Sequence, residues 1–256
     1  MKKKNVMIFS GLIFILLVSG TTILSKTSNN SELTSANLKN TTDKNVNPNS
    51  LIATTDNKDI VLKLTSELDY AINTTDKKVR NENSDFIIIG TVQSVDGSTN
   101  YNPATKKYTE IQTIGKIKVE KVMKGNIKDN IIPFIRLGGV ISFSEYEKGL
   151  TESQKSKVEL TRTLTNEEKK IKYVSSTING NINIEQGKTY LIYAKYNSGY
   201  DKYGIVFMQN GLREIDKNTL AKSESKTLIK EEMATLKVKN NETGKFEIIK
   251  EVIGDL

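Results

Sequence analysis

The stretch Ser84-Asp85-Phe86-Ile87-Ile88-Ile89-Gly90-Thr91-Val92 limits the possible folds of this chain more than any other part of it. Four large apolar residues follow one another, three of them β-branched, in a run too short for a stable helix. Such a run is expected as a strand buried on both faces, because an alternating strand would leave every second residue in water. Gly90 is read either as a bend, where a missing Cβ lets the backbone curve, or as an incidental glycine in a plain strand. A turn is expected at Asp96-Gly97, a dipeptide suited to positive φ.

Downstream, Ile117 and Val119 alternate with Lys116, Lys118 and Glu120, the period of a strand with one wet face. The phase slips at Lys121-Val122, as a bulge would cause. A third strand is expected over 131–137, with Pro133 marking an edge or a start. The span from Ser142 to Lys170 is charged and expected to hold short helices, with Thr165 and Glu168 matching a capping box. Strands are then expected at Tyr173-Val174, Ile182–Ile184 and 190–193. Another is expected over 203–208, returning through an Asn210-Gly211 hairpin to 212–215. Thr75-Asp76 can cap a short helix over 77–82. A helical pattern covers 223–236, and a strand pair follows around Val238 and Phe246-Ile248. The fold class expected is mainly β, with a charged helical insertion and a C-terminal helix.

The N-terminus follows a different logic. Lys2, Lys3 and Lys4 precede an apolar run from Val6 to Val18, interrupted by Ser10 and Gly11, and small residues follow. This is the pattern of an export signal. Uncleaved, Val6–Leu24 would serve as a hydrophobic membrane helix with the lysines on the cytoplasmic side. Over 25–50, 16 of 26 residues are Ser, Thr or Asn, too polar to offset the entropy of ordering. The domain plan expected is therefore a signal or anchor at 1–24, a disordered linker at 25–57, a β domain at 58–215, and a C-terminal helix and hairpin at 216–256. The location expected is extracellular, either secreted or tethered to the outer face of the membrane, in a bacterium of Gram-positive type.

Composition excludes much chemistry. The chain has no His and no Cys, so it can build neither a Ser-His-Asp triad nor a thiol nucleophile. Disulfides, thiolate zinc sites and imidazole metal ligands are excluded with them. No phosphate-cradling glycine loop and no calcium loop is present, so no cofactor and no metal site is expected. Two catalytic routes stay open: paired carboxylates among Glu145, Glu147 and Glu152, and a Ser-Lys pair that no spacing singles out. The formal charge of +8, or +5 without the three leading lysines, allows an anionic cell-wall polymer or lipid headgroups as partners. Few arginines and no recognisable module argue against nucleic acid.

Two candidate binding features stand out. Tyr190, Tyr193, Tyr196, Tyr200 and Tyr203 are interleaved with Lys195 and Lys202. Tyr190 and Tyr193 fall on opposite faces of one strand, whereas Tyr196, Tyr200 and Tyr203 surround an Asn197-Ser198-Gly199 loop. There they can stack on a sugar or protein partner, or else pack hairpin ends. Arg136 beside Gly138-Gly139 can meet a carboxylate or phosphate, or else be an ordinary surface arginine at a turn.

The apolar run, Ile117-Lys118-Val119-Glu120-Lys121-Val122-Met123-Lys124-Gly125, Gly138-Gly139 and Gly187-Lys188-Thr189-Tyr190-Leu191-Ile192 together resemble a family of uncharacterised exported proteins of Gram-positive type. More remotely, the order of strand, bulge, turn and strand is similar to the netrin-like modules of tissue metalloproteinase inhibitors. Those are small five-stranded barrels of the oligonucleotide/oligosaccharide-binding (OB) type. The resemblance implies an OB-like barrel over roughly 84–215. It does not imply inhibition, which those proteins perform through an N-terminal Cys. The functional expectation is a non-enzymatic binding domain for an unknown protein or anionic polymer. The alternatives are a carboxylate- or Ser-Lys-dependent hydrolase and a structural or regulatory envelope protein. Export predicts that protease added outside intact cells digests the protein; loss of about 20–25 N-terminal residues from its mass then marks the cleaved form.

Overall fold

Strand β2 (Phe86–Asn102) carries the apolar run, and its two faces are buried against different partners. Ile88 and Val92 point into one core together with Ile117, Ile132, Phe134, Tyr190, Ile192 and Ala194. Ile87 and Ile89 point into a second core with Leu191, Tyr193, Phe207, Leu236, Val238, Ile249, Val252 and Ile253. Burial on both faces explains why no polar residue interrupts the run. Each fully buried Ile contributes about 1.5–3 kcal/mol relative to exposure.

The first core is the interior of a closed ring. β2 pairs antiparallel with β3 (Lys107–Lys124), and β3 with β4 (Ile131–Leu137). β4 runs parallel to β8 (Lys202–Ile205), β8 antiparallel to β7 (Thr189–Asn197), and β7 returns to β2. The order β2-β3-β4-β8-β7, closed by β7 on β2, is a five-stranded barrel of the OB-like type. The computed structural model describes residues 58–68, 70–178, 181–216, 219 and 235–254, within the unit Pro48–Leu256. The anchor and linker expected at 1–57 and the helical pattern at 223–234 lie outside the described residues. Among those described, no helix is long and apolar enough to cross a membrane.

Gly90 is a bend site. It pairs with Val119, and the register against β3 shifts immediately before it. A Cβ at Gly90 would stand 2.4 Å from Ile117 Cγ2 and 3.2 Å from the Lys118 carbonyl oxygen. Bulges at Glu120 and Met123 on β3 take up the extra residues, beside the phase slip read at Lys121-Val122.

Outside the ring lie two additions. Strand β1 (Asp59–Ser66) runs parallel to β6 (Lys172–Ile178), which pairs antiparallel with β5 (Gly139–Ser142). Helices α2 (Phe143–Lys148), α3 (Glu152–Lys157), α4 (Leu160–Thr163) and α5 (Asn166–Ile171) fill the charged insertion. They close a third core around Ile111, Ile141, Phe143 and Val174. Thr165 and Thr151 each make a full capping box, with Glu168 and Gln154. The second addition covers the outer face of β2 and β7. It comprises the antiparallel pair β10 (Lys237–Lys239) and β11 (Phe246–Ile248), with the C-terminal helix α7 (Ile249–Ile253). Helix α1 (Lys77–Glu82), capped by Asp76, meets the end of α7: Arg80 and Asn81 donate to the Val252 and Ile253 carbonyls.

Three expectations are corrected. Asp96-Gly97 makes no turn; Asp96 is the extra residue of a bulge, and the hairpin continues to a turn at 103–106. Ile182–Ile184 forms no strand, because the barrel is already closed without it. Asn210-Gly211 is not a hairpin turn. It ends the helical turn α6 (Met208–Gly211), and β9 (Leu212–Glu214) pairs with β7 instead of β8. The chain reverses earlier, where Phe207 and Met208 adopt positive φ and bury the Phe207 ring beside Tyr70 and Tyr193. Pro133, expected at an edge or start, is the third residue of a ring strand and is paired only with Lys116, a locally edge-like position. It directly precedes the two residues that reach β8, so the missing N–H falls where β4 has one neighbour.

Replacing Gly90 by Ala is expected to destabilise the domain by about 1–3 kcal/mol through overpacking. The urea midpoint should fall with an unchanged m-value, while Ile131→Ala on the exposed outer face shifts stability by less than about 0.5 kcal/mol.

Candidate functional site

The tyrosine cluster divides along the geometry of the β7–β8 hairpin. Tyr190 enters the barrel interior and Tyr193 the outer core, as expected for residues on opposite faces. Tyr196 and Tyr203 are paired residues on neighbouring strands. Their rings meet edge to face at 5.5 Å, and Tyr203 meets Phe86 in the same way at 5.0 Å. Tyr196 is the exposed end of this aromatic row, at 47%. Its hydroxyl donates to Asp201, whose carboxylate holds the phenol above its ordinary pKa.

Tyr200 is corrected. It is 7% exposed and offers no ring to a ligand. Its hydroxyl lies 2.7 Å from Thr109 Oγ1 and accepts from Gln112 Nε2 at 2.8 Å. Gln112 is itself buried, so the phenol satisfies an amide that water cannot reach. The Ala104 N–H donates to the Gly199 carbonyl at 3.4 Å, and Asn102 lies against Gly199. Tyr200 therefore latches the outer half of the β2–β3 hairpin onto the β7–β8 turn.

Arg136 is the second correction. It is buried, its guanidinium donating to the Ile182 carbonyl and Asn181 Oδ1. Asn181 in turn donates to the Leu137 carbonyl at 2.9 Å. Burial pushes the Arg136 pKa down to about 10, so it remains charged at neutral pH. The Gly138 N–H is taken by the Ile111 carbonyl at 2.8 Å. Both terminal nitrogens of the guanidinium and the Gly138 N–H are thus engaged within the protein, and Arg136 anchors the segment leading into β7. Arg80 works similarly. It donates to the Thr74, Thr75 and Val252 carbonyls and lies over the Tyr193 ring at 5.4 Å. Nothing in the sequence marks these arginines as internal, because their partners are backbone carbonyls and, for Arg136, one asparagine amide oxygen.

The carboxylates considered for hydrolysis are each held by a lysine. Glu145 pairs with Lys148 at 2.5 Å, Glu147 with Lys169 at 2.8 Å and Glu152 with Lys155 at 2.8 Å. Among the described residues no group of three or more acidic residues is placed to hold a metal ion.

Strand alternation yields a feature that residue-by-residue reading missed. Ile117, Ile132, Phe134, Tyr203, Ile205 and Ala194 face the barrel interior. Their neighbours Lys116, Lys202 and Lys195 therefore face outward, on β3, β8 and β7. The register sets Lys116 opposite Pro133, Lys202 opposite Asn197, and Lys195 opposite Gly204. β4 alone lies between β3 and β8. None of the three ammonium groups has an acidic partner among the described residues, whereas nearby Lys118 is paired with Glu120. The wet face of β3 was legible as alternation; its juxtaposition with β7 and β8 needed the closed ring.

No protein-family model matches the chain, and comparison with characterised proteins returns no match. The reading of the site therefore stands on its own chemistry.

Tyr200→Phe is expected to cost about 1–2 kcal/mol, since it leaves the Gln112 amide short of a partner. Chemical denaturation checks the loss, and faster amide exchange over 100–112 would report release of the hairpin.

Proposed function

We propose that this chain is an exported, non-enzymatic binding domain that holds an anionic polymer of the cell envelope on the outer face of its barrel. The observation that carries the reading is the set Lys116, Lys195 and Lys202, three ammonium groups without an acidic partner among the described residues, on outward positions across four adjacent strands. A surface evolved only for solubility intersperses its charges; here nearby Glu120 is already engaged by Lys118. The outer face between the first hairpin and the loop joining the last two ring strands is where barrels of this type hold oligomeric ligands. Tyr196 and the partly buried Tyr203 lie on the opposite, interior-facing side of the same two strands, so the reading rests on the lysines and not on these rings.

Two features weigh against the hydrolase reading. General acid–base work with two carboxylates needs one of them free and the other raised in pKa, and Glu145, Glu147 and Glu152 are each neutralised by a lysine. The chain also has no His or Cys.

The test is binding of poly(glycerol phosphate) to the Pro48–Leu256 unit. Affinity should fall steeply with added salt. The triple variant Lys116→Glu, Lys195→Glu, Lys202→Glu should lose at least about 100-fold, given roughly 1 kcal/mol for each charge near an anionic surface and reversal of all three. Equal affinity of the variant and the parent would overturn the proposal.

A further inference from the structure

The tip of the β2–β3 hairpin has a chemistry of its own, with no part in the lysine face. Its sequence is Tyr101-Asn102-Pro103-Ala104-Thr105-Lys106-Lys107-Tyr108. Tyr101 and Tyr108 are paired residues whose rings meet at 5.4 Å and 60°, and each is 39% exposed. Neither phenol hydroxyl has a partner among the described residues, and neither do the ammonium groups of Lys106 and Lys107. Pro103 and Ala104 are exposed at the apex. The acids nearby are Glu110, which is exposed, and Glu145, which is neutralised by Lys148. The tip therefore presents two amphipathic rings, a small apolar apex and two free positive charges.

The tip is also held rigid. Asn102 Oδ1 accepts from the Ala104 and Thr105 N–H groups at 3.0 and 3.1 Å, and Lys106 adopts a φ of 54°. Asn100 donates to the Glu145 carbonyl at 3.2 Å on the insertion. Behind the tip, the Tyr200 latch ties the hairpin to the β7–β8 turn. A loop ordered in this way loses little entropy when it engages a surface.

We infer that this hairpin tip docks on a bilayer of anionic lipid, with Tyr101 and Tyr108 in the headgroup layer and Lys106 and Lys107 on the phosphates. Aromatic rings with a polar end favour the membrane–water interface, where the ring leaves water and the hydroxyl stays wet. Lysines beside them add attraction to negative headgroups. The tilt between the two rings leaves no flat platform of the kind on which a sugar stacks, which favours a headgroup layer over a glycan at this place. The N-terminal segment Val6–Leu24, expected as a signal or anchor, would if retained hold the domain near such a bilayer. A second weak contact then becomes effectively intramolecular. The contact places one end of the barrel on the membrane and is separate from the polymer reading.

The chain contains no Trp, so Thr105→Trp in the Pro48–Leu256 unit is a single reporter. Its emission should shift to the blue with phosphatidylglycerol vesicles and stay unchanged with phosphatidylcholine vesicles. Replacing Lys106 and Lys107 by Ala should weaken vesicle binding about 25-fold, at about fivefold for each charge. Tyr101→Ser with Tyr108→Ser should abolish the blue shift, with poly(glycerol phosphate) binding retained. The Lys116, Lys195, Lys202 variant should do the reverse, losing the polymer and keeping the vesicles. An absent shift, an equal shift on both lipids, or vesicle binding indifferent to the tip substitutions would overturn the inference. Retention of vesicle binding by the tip variants would make the tip a contact for a protein or glycan instead.

Discussion

Burial of β2 and β7 on both faces is the constraint on which the rest of this structure depends. A barrel strand ordinarily shows one face to the interior and one to water. Here Ile88, Tyr190 and Ile192 fill the interior, while Ile87, Ile89, Leu191 and Tyr193 need a second cover. The C-terminal layer from Leu236 to Ile253 supplies it. Arg80 and Asn81 fasten that layer by donating to its last helical carbonyls. The opposite side of the barrel, over β3, β4 and β8, carries no such cover at Lys116, Ile131 and Pro133. The barrel is thus asymmetric: one side is committed to packing and the other is exposed at these positions.

The same asymmetry bears on why Arg80 and Arg136 turned inward and Lys116, Lys195 and Lys202 outward. A guanidinium has five donors in a rigid fork and can satisfy several carbonyls at once. Arg80 and Arg136 are used in this way, each binding segments distant in sequence. Lysine offers a compact, strongly hydrated charge that is best left in water unless it finds an acid, as Lys169 does with Glu147. The unpaired lysines therefore collect on outer faces and loop tips. These are the places where the proposed polymer contact and the inferred lipid contact lie.

Much of the fold was legible. The unbroken run 86–89 announced a strand buried twice, Thr75-Asp76 announced the cap of α1, which is Asp76, and Thr165 with Glu168 announced a capping box. Each of these signals is local, carried by residues within a few positions of one another. The misreadings were local signals overruled from a distance. Asp96-Gly97 has turn chemistry, but pairing with β3 continues past it because a bulge absorbs the extra residue. Asn210-Gly211 has hairpin chemistry, but the reversal happens at Phe207, whose ring is drawn between Tyr70 and Tyr193. The candidate site fared less evenly. Tyr196 is exposed as expected, whereas Tyr200 and Arg136 are buried because partners far along the chain, Gln112 and Asn181, receive them.

By itself the sequence determined what this protein cannot do and where its packing must be densest. The lack of His and Cys removes whole classes of chemistry, and the period of apolar residues marks strands and their buried faces, because both depend only on residue type and spacing. Tertiary structure alone decided which faces meet. Closure of the ring brought Lys116, Lys202 and Lys195 onto neighbouring strands, and the Tyr200 latch carried the tyrosine-flanked hairpin tip to the β7–β8 turn. Those juxtapositions arise from pairings between residues up to about a hundred positions apart, which no local period records.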